Sequence, residues 1–224
     1  MIKMQIENVG LKFSKALTPL KRVTKIIIHH PAHPTWGIKK IHNYHQKSNG
    51  WNGIGYSYFI PKHGGVQLGR GGNLGAHCKG MGMNNQSLGI CFQGDFDKQV
   101  PTEAQYRDGA KLVAQLLRQE GLQINDVAPH RDFDATACPG KNFNMNKLKQ
   151  YILEEMNPNV KGVVQTMSEQ VKVSIATQNA IDHLASYGII QKDYKVTKDF
   201  EITLISMMNG LVNAIENGKL KVKQ

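Results

Sequence analysis

A chain of 224 residues with 40% hydrophobic and 20% charged residues has the composition of a globular protein and the length for one large domain, or a medium domain joined to a small one. It has no run of about 18 apolar residues, which leaves no candidate spanning helix, and an odd count of three cysteines does not make a disulfide framework. The formal net charge of +11 is uneven: residues 1–156 hold 20 Lys+Arg against 11 Asp+Glu, and residues 157–224 hold 8 against 6. The basic excess of the first part asks for an anionic partner, and without a Lys/Arg cluster interleaved with aromatics nucleic acid is not the leading choice.

Taken in order, the N-terminal MIKMQIENVGLKF lacks an apolar core followed by a small-residue cleavage site. The protein is therefore expected to be made and folded in the cytosol, with something else releasing it if it acts outside. KRVTKIIIHH reads as a buried strand, since Val23, Ile26, Ile27 and Ile28 are β-branched and nearly continuous. It ends in His29-His30 before Pro31, and alternation along a strand lets one of that pair join a given site. Thr35 to Asn49 reads as a helix capped by Thr35, with His42 wet and His45 packed. YSYFI, the KHGG turn and VQLGR read as a hairpin. GGNLGAHCKGMGMNN, with five glycines, reads as a functional surface loop.

SLGICFQG reads as a second buried strand in which Cys91 is a small core hydrophobe. The clearest helix runs from Pro101 to Gly121, with Thr102 as its cap, Glu103 in the first turn, a stripe of Ala110, Val113, Ala114 and Leu117, and Gly121 as its stop. Val127 to His130 is a short edge-like strand and Asn146 to Met156 a closing helix. Asn157-Pro158-Asn159 breaks that helix and marks a boundary. Beyond it, 160–224 reads as a small domain of two amphipathic helices, Ser168 to Tyr187 and Phe200 to Asn217. Two helices bury little surface alone, so this part is expected to dock, dimerise or bind a partner.

The chemistry centres on HRDFDATAC, His130 to Cys138. Asp, Thr and the following Pro139 favour caps and turns over helix, so the stretch is a loop that can bring an imidazole and a thiol into one coordination sphere. Thiolate plus imidazole is a zinc-like ligand set. A catalytic zinc takes three protein ligands and keeps one open position, and the best third ligand is His29 at the end of the apolar strand. A Tyr or Lys would complete such a site by handling protons or charge.

The pieces IIIHHPA, GWNGIGYSYFI, GAHCKGMGMNNQSLGICFQG and HRDFDATACPG occur in an order and at spacings that resemble the type 2 N-acetylmuramoyl-L-alanine amidase family. That family includes phage endolysins and is related to the animal peptidoglycan recognition proteins. The resemblance covers about Lys25 to Met156. It implies an α/β fold with a mixed β-sheet flanked by helices, a zinc cofactor, and hydrolysis of the amide between N-acetylmuramic acid and L-alanine in bacterial peptidoglycan. The implied zinc ligands are His29, His130 and Cys138, with His29 preferred to His30 as the first residue after the apolar strand. The implied catalytic residues are Tyr56, which follows Gly55 as in the family, and Thr136.

Thr136 stands where some phage members carry Lys, as in the recognition-protein branch, and Cys91 stands where some bacterial members carry Glu. His77, Lys79 and Asn85 of the Gly-rich loop are the expected substrate-binding residues, and Asp132 and Asp134 are candidates to orient ligands. Residues 1–156 are thus expected to be a zinc amidase domain held in the cytoplasm until release to the wall. Residues 160–224 are expected to bind the cell wall or form a homodimer. A non-catalytic peptidoglycan-binding module and a thiol hydrolase built on Cys138 and His130 are the alternatives; retention of Cys138 favours the enzyme over the first, and the second leaves His29 and Tyr56 unexplained.

Overall fold

The computed structural model describes residues 4–156, and the helices expected over 160–224 lie outside the described residues. Five strands make the framework: β1 (Lys25–His29), β2 (Tyr58–Ile60), β3 (Gln67–Leu68), β4 (Ser87–Phe92) and β5 (Val127–Pro129). They lie in the order β3-β2-β4-β1-β5. β1 runs parallel to β4 and β5, and β2 runs parallel to β4, while β3 returns antiparallel to β2. The sheet is mixed, as the resemblance implied, and three helices flank it: α1 (Ile38–Lys47), α2 (Glu103–Glu120) and α3 (Met145–Met156).

Both faces of the sheet are covered, which is why β1 and β4 read as unbroken apolar runs. Ile26 and Ile28 enter the larger core, with Leu112 and Leu116 of α2 and Leu148 of α3. Ile27 turns to the opposite face and meets Cys78, Met83 and Phe133. On that side Phe59 and Cys91 also pack against Ile38 and Ile41 of α1. Alternation therefore decides which of two adjacent histidines can serve a site. His29 follows Ile27, in register with Cys91, while His30 falls back with the larger core, where its Nδ1 accepts the Phe96 N–H at 3.0 Å.

α2 forms as its sequence dictates. Thr102 Oγ1 accepts the Gln105 N–H and Gln105 Oε1 accepts the Thr102 N–H, both at 3.1 Å, and Gly121 closes the helix at φ 66°. Such a cap contributes about 1 kcal/mol. α1 departs from expectation. It begins at Ile38 behind an extended Gly37 with no side-chain cap, not at Thr35, because Gly is a poor helix former.

His42, expected to be wet, is buried. Its Nδ1 accepts the Ile54 N–H at 3.1 Å and its Nε2 donates to Lys12 O at 3.0 Å, and Phe13 meets its ring edge-on. The N-terminal segment, whose mixed composition predicts no element, is a strap over the domain. Met4 N–H donates to Gln115 Oε1 on α2, Glu7 bridges to Gln67 of β3, and Lys12 meets α1. The Gly-rich loop is likewise no plain surface loop. It ends in a 3-10 turn, Gly80–Asn85, and it buries His77, Cys78 and Met83.

Candidate metal centre and the cavity beside it

β1 delivers His29 at its C-terminal end, and the chain after β5 delivers the other donors. Pro129 ends β5 and a 3-10 turn, His130–Asp132, follows. The Phe133 and Asp134 amides both donate to His130 O, and Arg131 N–H donates to Cys138 O at 3.0 Å, closing the loop. Thr136 Oγ1 accepts the Cys138 N–H at 3.2 Å, and the Cys138–Pro139 peptide is cis. The folded loop sets Cys138 Sγ 3.7 Å from His29 Nδ1. Donor atoms of His29, His130 and Cys138 all lie within 4.8 Å of one another. His29 and Cys138 are buried, at 1% and 8% exposure. A mutually close set of two imidazoles and one thiol, with His29 and Cys138 buried and His130 half-buried, can hold a metal ion.

Two further side chains fix the rings. His77 Nδ1 lies 2.9 Å from His29 Nε2. When His29 Nδ1 ligates a metal together with Cys138, its Nε2 carries the ring proton and donates it to His77 Nδ1. The His77 ring is seated on Gly89 of β4, where a Cβ would come within 2.6 Å of its Cγ. Burial, aided by the nearby His130, lowers the His77 pKa to about 4, so the ring is neutral at ordinary pH. On the other side Asp134 Oδ2 lies 2.8 Å from His130 Nε2 and accepts the Lys79 N–H at 3.1 Å. The His130 contact holds the Asp134 carboxyl below its usual range. Of the two loop carboxylates, Asp134 therefore orients a donor, while Asp132 is exposed.

Tyr56 stands with its ring 5.2 Å from that of His29 and 5.8 Å from that of His45. Atoms crowded around its hydroxyl raise its pKa well above the ordinary value, and its side chain interacts with that of Cys91. The phenol stays protonated and able to donate. Thr136 is exposed on the loop. Burial pushes the Cys138 thiol up to about 12, the wrong direction for a free thiol nucleophile.

A cavity of about 410 Å³ opens beside the centre, lined by His130 together with Trp51, His77, Lys79, Asn84 and Asp134. His77 and Lys79 are therefore placed to face a ligand, His77 while also holding His29. Asn85 is exposed on the 3-10 turn, and its neighbour Asn84 is the asparagine that lines the cavity. Asn84 Oδ1 accepts the amides of His77 and Cys78 at 2.7 and 2.9 Å, so it also shapes the loop. Buried Arg70 ties the same loop down, with Nε donating to Ile54 O and Nη1 to Leu74 O. Neither role was read from the sequence. A polar residue two or three positions from a glycine is a general turn signal, and it does not separate position 84 from 85.

The family model described as N-acetylmuramoyl-L-alanine amidase matches residues 19–141. The chain belongs to that family. It is 35% identical over 108 residues to peptidoglycan-recognition protein SC2 of Drosophila simulans, a match covering 47% of this chain and 58% of that protein. It is 34% identical over 106 residues to the N-acetylmuramoyl-L-alanine amidase of Homo sapiens, covering 46% and 18%. The chain thus spans little more than half the length of one of these relatives and under a fifth of the other. Among solved structures, the endolysin N-acetylmuramoyl-L-alanine amidase LysCS from Clostridium intestinale superposes with a TM-score of 0.61 at 29% identity, over 66% of this chain and 95% of that one. Peptidoglycan recognition protein LE, solved in complex with tracheal cytotoxin, a monomeric diaminopimelic acid-type peptidoglycan, superposes at 0.56 with 27% identity, over 62% and 89%.

Proposed function

We propose that this member of the family is a zinc-dependent N-acetylmuramoyl-L-alanine amidase that cuts the amide between N-acetylmuramic acid and L-alanine in bacterial peptidoglycan, acting as a phage or prophage endolysin. The observation that carries this reading is the closed donor set of His29, His130 and Cys138, each ring held by a partner, at the wall of a cavity. The set fits zinc: a tetrahedral ion with ordinary Zn–N and Zn–S bonds separates nitrogen from sulfur by about 3.6 Å, and His29 Nδ1 and Cys138 Sγ stand 3.7 Å apart. Bound zinc supplies a Lewis acid for the scissile carbonyl and lowers the pKa of an attacking water.

The chain's own residues do the rest. His77 and Asp134 keep the two imidazoles oriented. Tyr56, held neutral, donates a hydrogen bond to the charge that develops on the carbonyl oxygen. Thr136 accepts the Cys138 amide through Oγ1 and keeps its own O–H to donate to the same oxyanion. His77 and Lys79 face the substrate from the cavity wall. On this reading the protein stays cytoplasmic until it is released, and its basic catalytic part suits an anionic wall.

Digestion of purified walls tests the reading. New alanine N-termini without new reducing sugars are expected, lost on chelation and restored by zinc. New reducing ends would make it a glycosidase, and full activity in metal-free protein would remove zinc. The second reading, a module that recognises peptidoglycan without cutting it, is favoured by the recognition proteins among its relatives. Saturable wall binding with no new termini would establish it.

A further inference from the structure

A second donor set adjoins the first. Donor atoms of Cys78, His130 and Asp134 also lie within 4.8 Å of one another, and all three residues line the same cavity. Thiolate, imidazole and carboxylate together suit a borderline-soft ion such as zinc, cobalt or cadmium. The first set accounts for His130 and, through it, for Asp134, but it gives Cys78 no task. That thiol is 1% exposed and in no disulfide.

Its placement is nevertheless well defined. Asn84 Oδ1 takes the Cys78 amide. Gly80, two residues on, is pressed so closely on Phe133 O that a Cβ there would lie 1.9 Å away. Asp134, next to Phe133, accepts the Lys79 N–H. The Gly-rich loop and the His130–Cys138 loop are thus locked together at the point where the thiol meets the carboxylate, and the two side chains interact directly. His130 belongs to both sets as a bridging imidazolate: its Nε2, which faces Asp134, gives up its proton to solvent when the second cation binds, as does the Cys78 thiol, while the other ring nitrogen serves the first set.

We propose that Cys78, His130 and Asp134 form a second position for a thiophilic divalent cation, beside the one made by His29, His130 and Cys138 and filled when metal exceeds one equivalent. It fills second because Asp134 must give up its contact with His130 to enter the coordination sphere. A cation there also occupies the cavity wall, so on the amidase reading the position is inhibitory; the binding itself does not depend on that reading.

The test is a cobalt titration of the full chain, stripped of metal under reducing conditions and followed by equilibrium dialysis and by thiolate-to-cobalt charge-transfer absorption. Wild-type protein is expected to take two equivalents, each adding charge transfer. Cys78→Ser is expected to keep the first equivalent and to bind the second roughly tenfold or more weakly, without its charge transfer. Asp134→Ala, at a half-exposed position, is expected to lose the second equivalent as well and, because Asp134 also orients His130, to bind the first more weakly. Cys138→Ser is expected to lose the first and retain charge transfer from Cys78. Saturation of wild type at one equivalent overturns the proposal, and so does a second equivalent whose charge transfer survives in Cys78→Ser. Absence of wall hydrolysis at one equivalent, in protein that still takes up the second on further titration, would count against the amidase reading and leave this one standing.

Discussion

His45 has the same kind of buried setting as the metal-facing histidines without belonging to the donor set. Its Nδ1 accepts the Gly55 N–H at 3.1 Å. Burial, with Arg70 and His42 nearby, lowers its pKa from 6.5 to about 4. The sign follows directly. Below pH 6.5 the unfolded chain takes up a proton that the folded ring refuses until about pH 4, so stability is complete above 6.5 and falls as the pH drops through that window. A melting temperature that declines from pH 7 toward pH 4.5 is expected. The decline should be shallower in His45→Gln, which keeps an acceptor for the Gly55 amide. His29, His30 and His77 shift in the same direction, so the slope should lessen without vanishing. An unchanged slope in the variant would take His45 out of the account.

At the scale of elements, β4 matters to the centre through a residue that has no side chain. Gly89 sits on the central strand and the His77 ring lies against it. Ala would suit a strand better than Gly by about 0.5–1 kcal/mol. The contact opposes that gain, because His77 is held by His29 and cannot swing aside, and overpacking costs about 1–3 kcal/mol. Gly89→Ala is therefore expected to be destabilised in urea and to bind metal more weakly; equal stability and equal affinity would show that the ring has room to move. β1, β4 and α2 were legible because hydrophobic runs, a Thr cap and a stop glycine act within a few residues. The burial of His42 and the work of Asn84 and Arg70 were not, since each depends on backbone groups that only the folded loops bring near. The first triad was readable from its motifs, whereas the contacts of His77 with His29 and of Asp134 with His130 join residues whose spacing carries no such signal.

For the whole molecule, the catalytic reading rests on residues 4–156, and the remainder of the chain is assigned from sequence alone. We propose that 160–224 targets the wall or pairs two copies. A fluorescent fusion of the full chain that labels walls, beside one ending at residue 159 that labels them poorly, is the expected result for targeting. Equal labelling by both would assign wall affinity to the basic first part, and a full chain that runs as a dimer while the shortened one runs as a monomer would favour pairing. The mixed sheet and its helices followed from the family resemblance more than from periodicity, because β2, β3 and β5 have only two or three residues each, too short to show a period.

The N-terminal strap has a further meaning for how this protein is delimited. Residues 4–12 hydrogen-bond to α2, β3 and α1, yet the recognisable family segment begins only at residue 19. The evolutionary unit and the folding unit therefore have different edges. A fragment cut at the family boundary would keep every metal donor while uncovering the Phe13–His42 contact and leaving α2 and β3 without their outer partners. For this chain the shortest piece that holds the metal donors is expected to be less stable than one that also includes the strap.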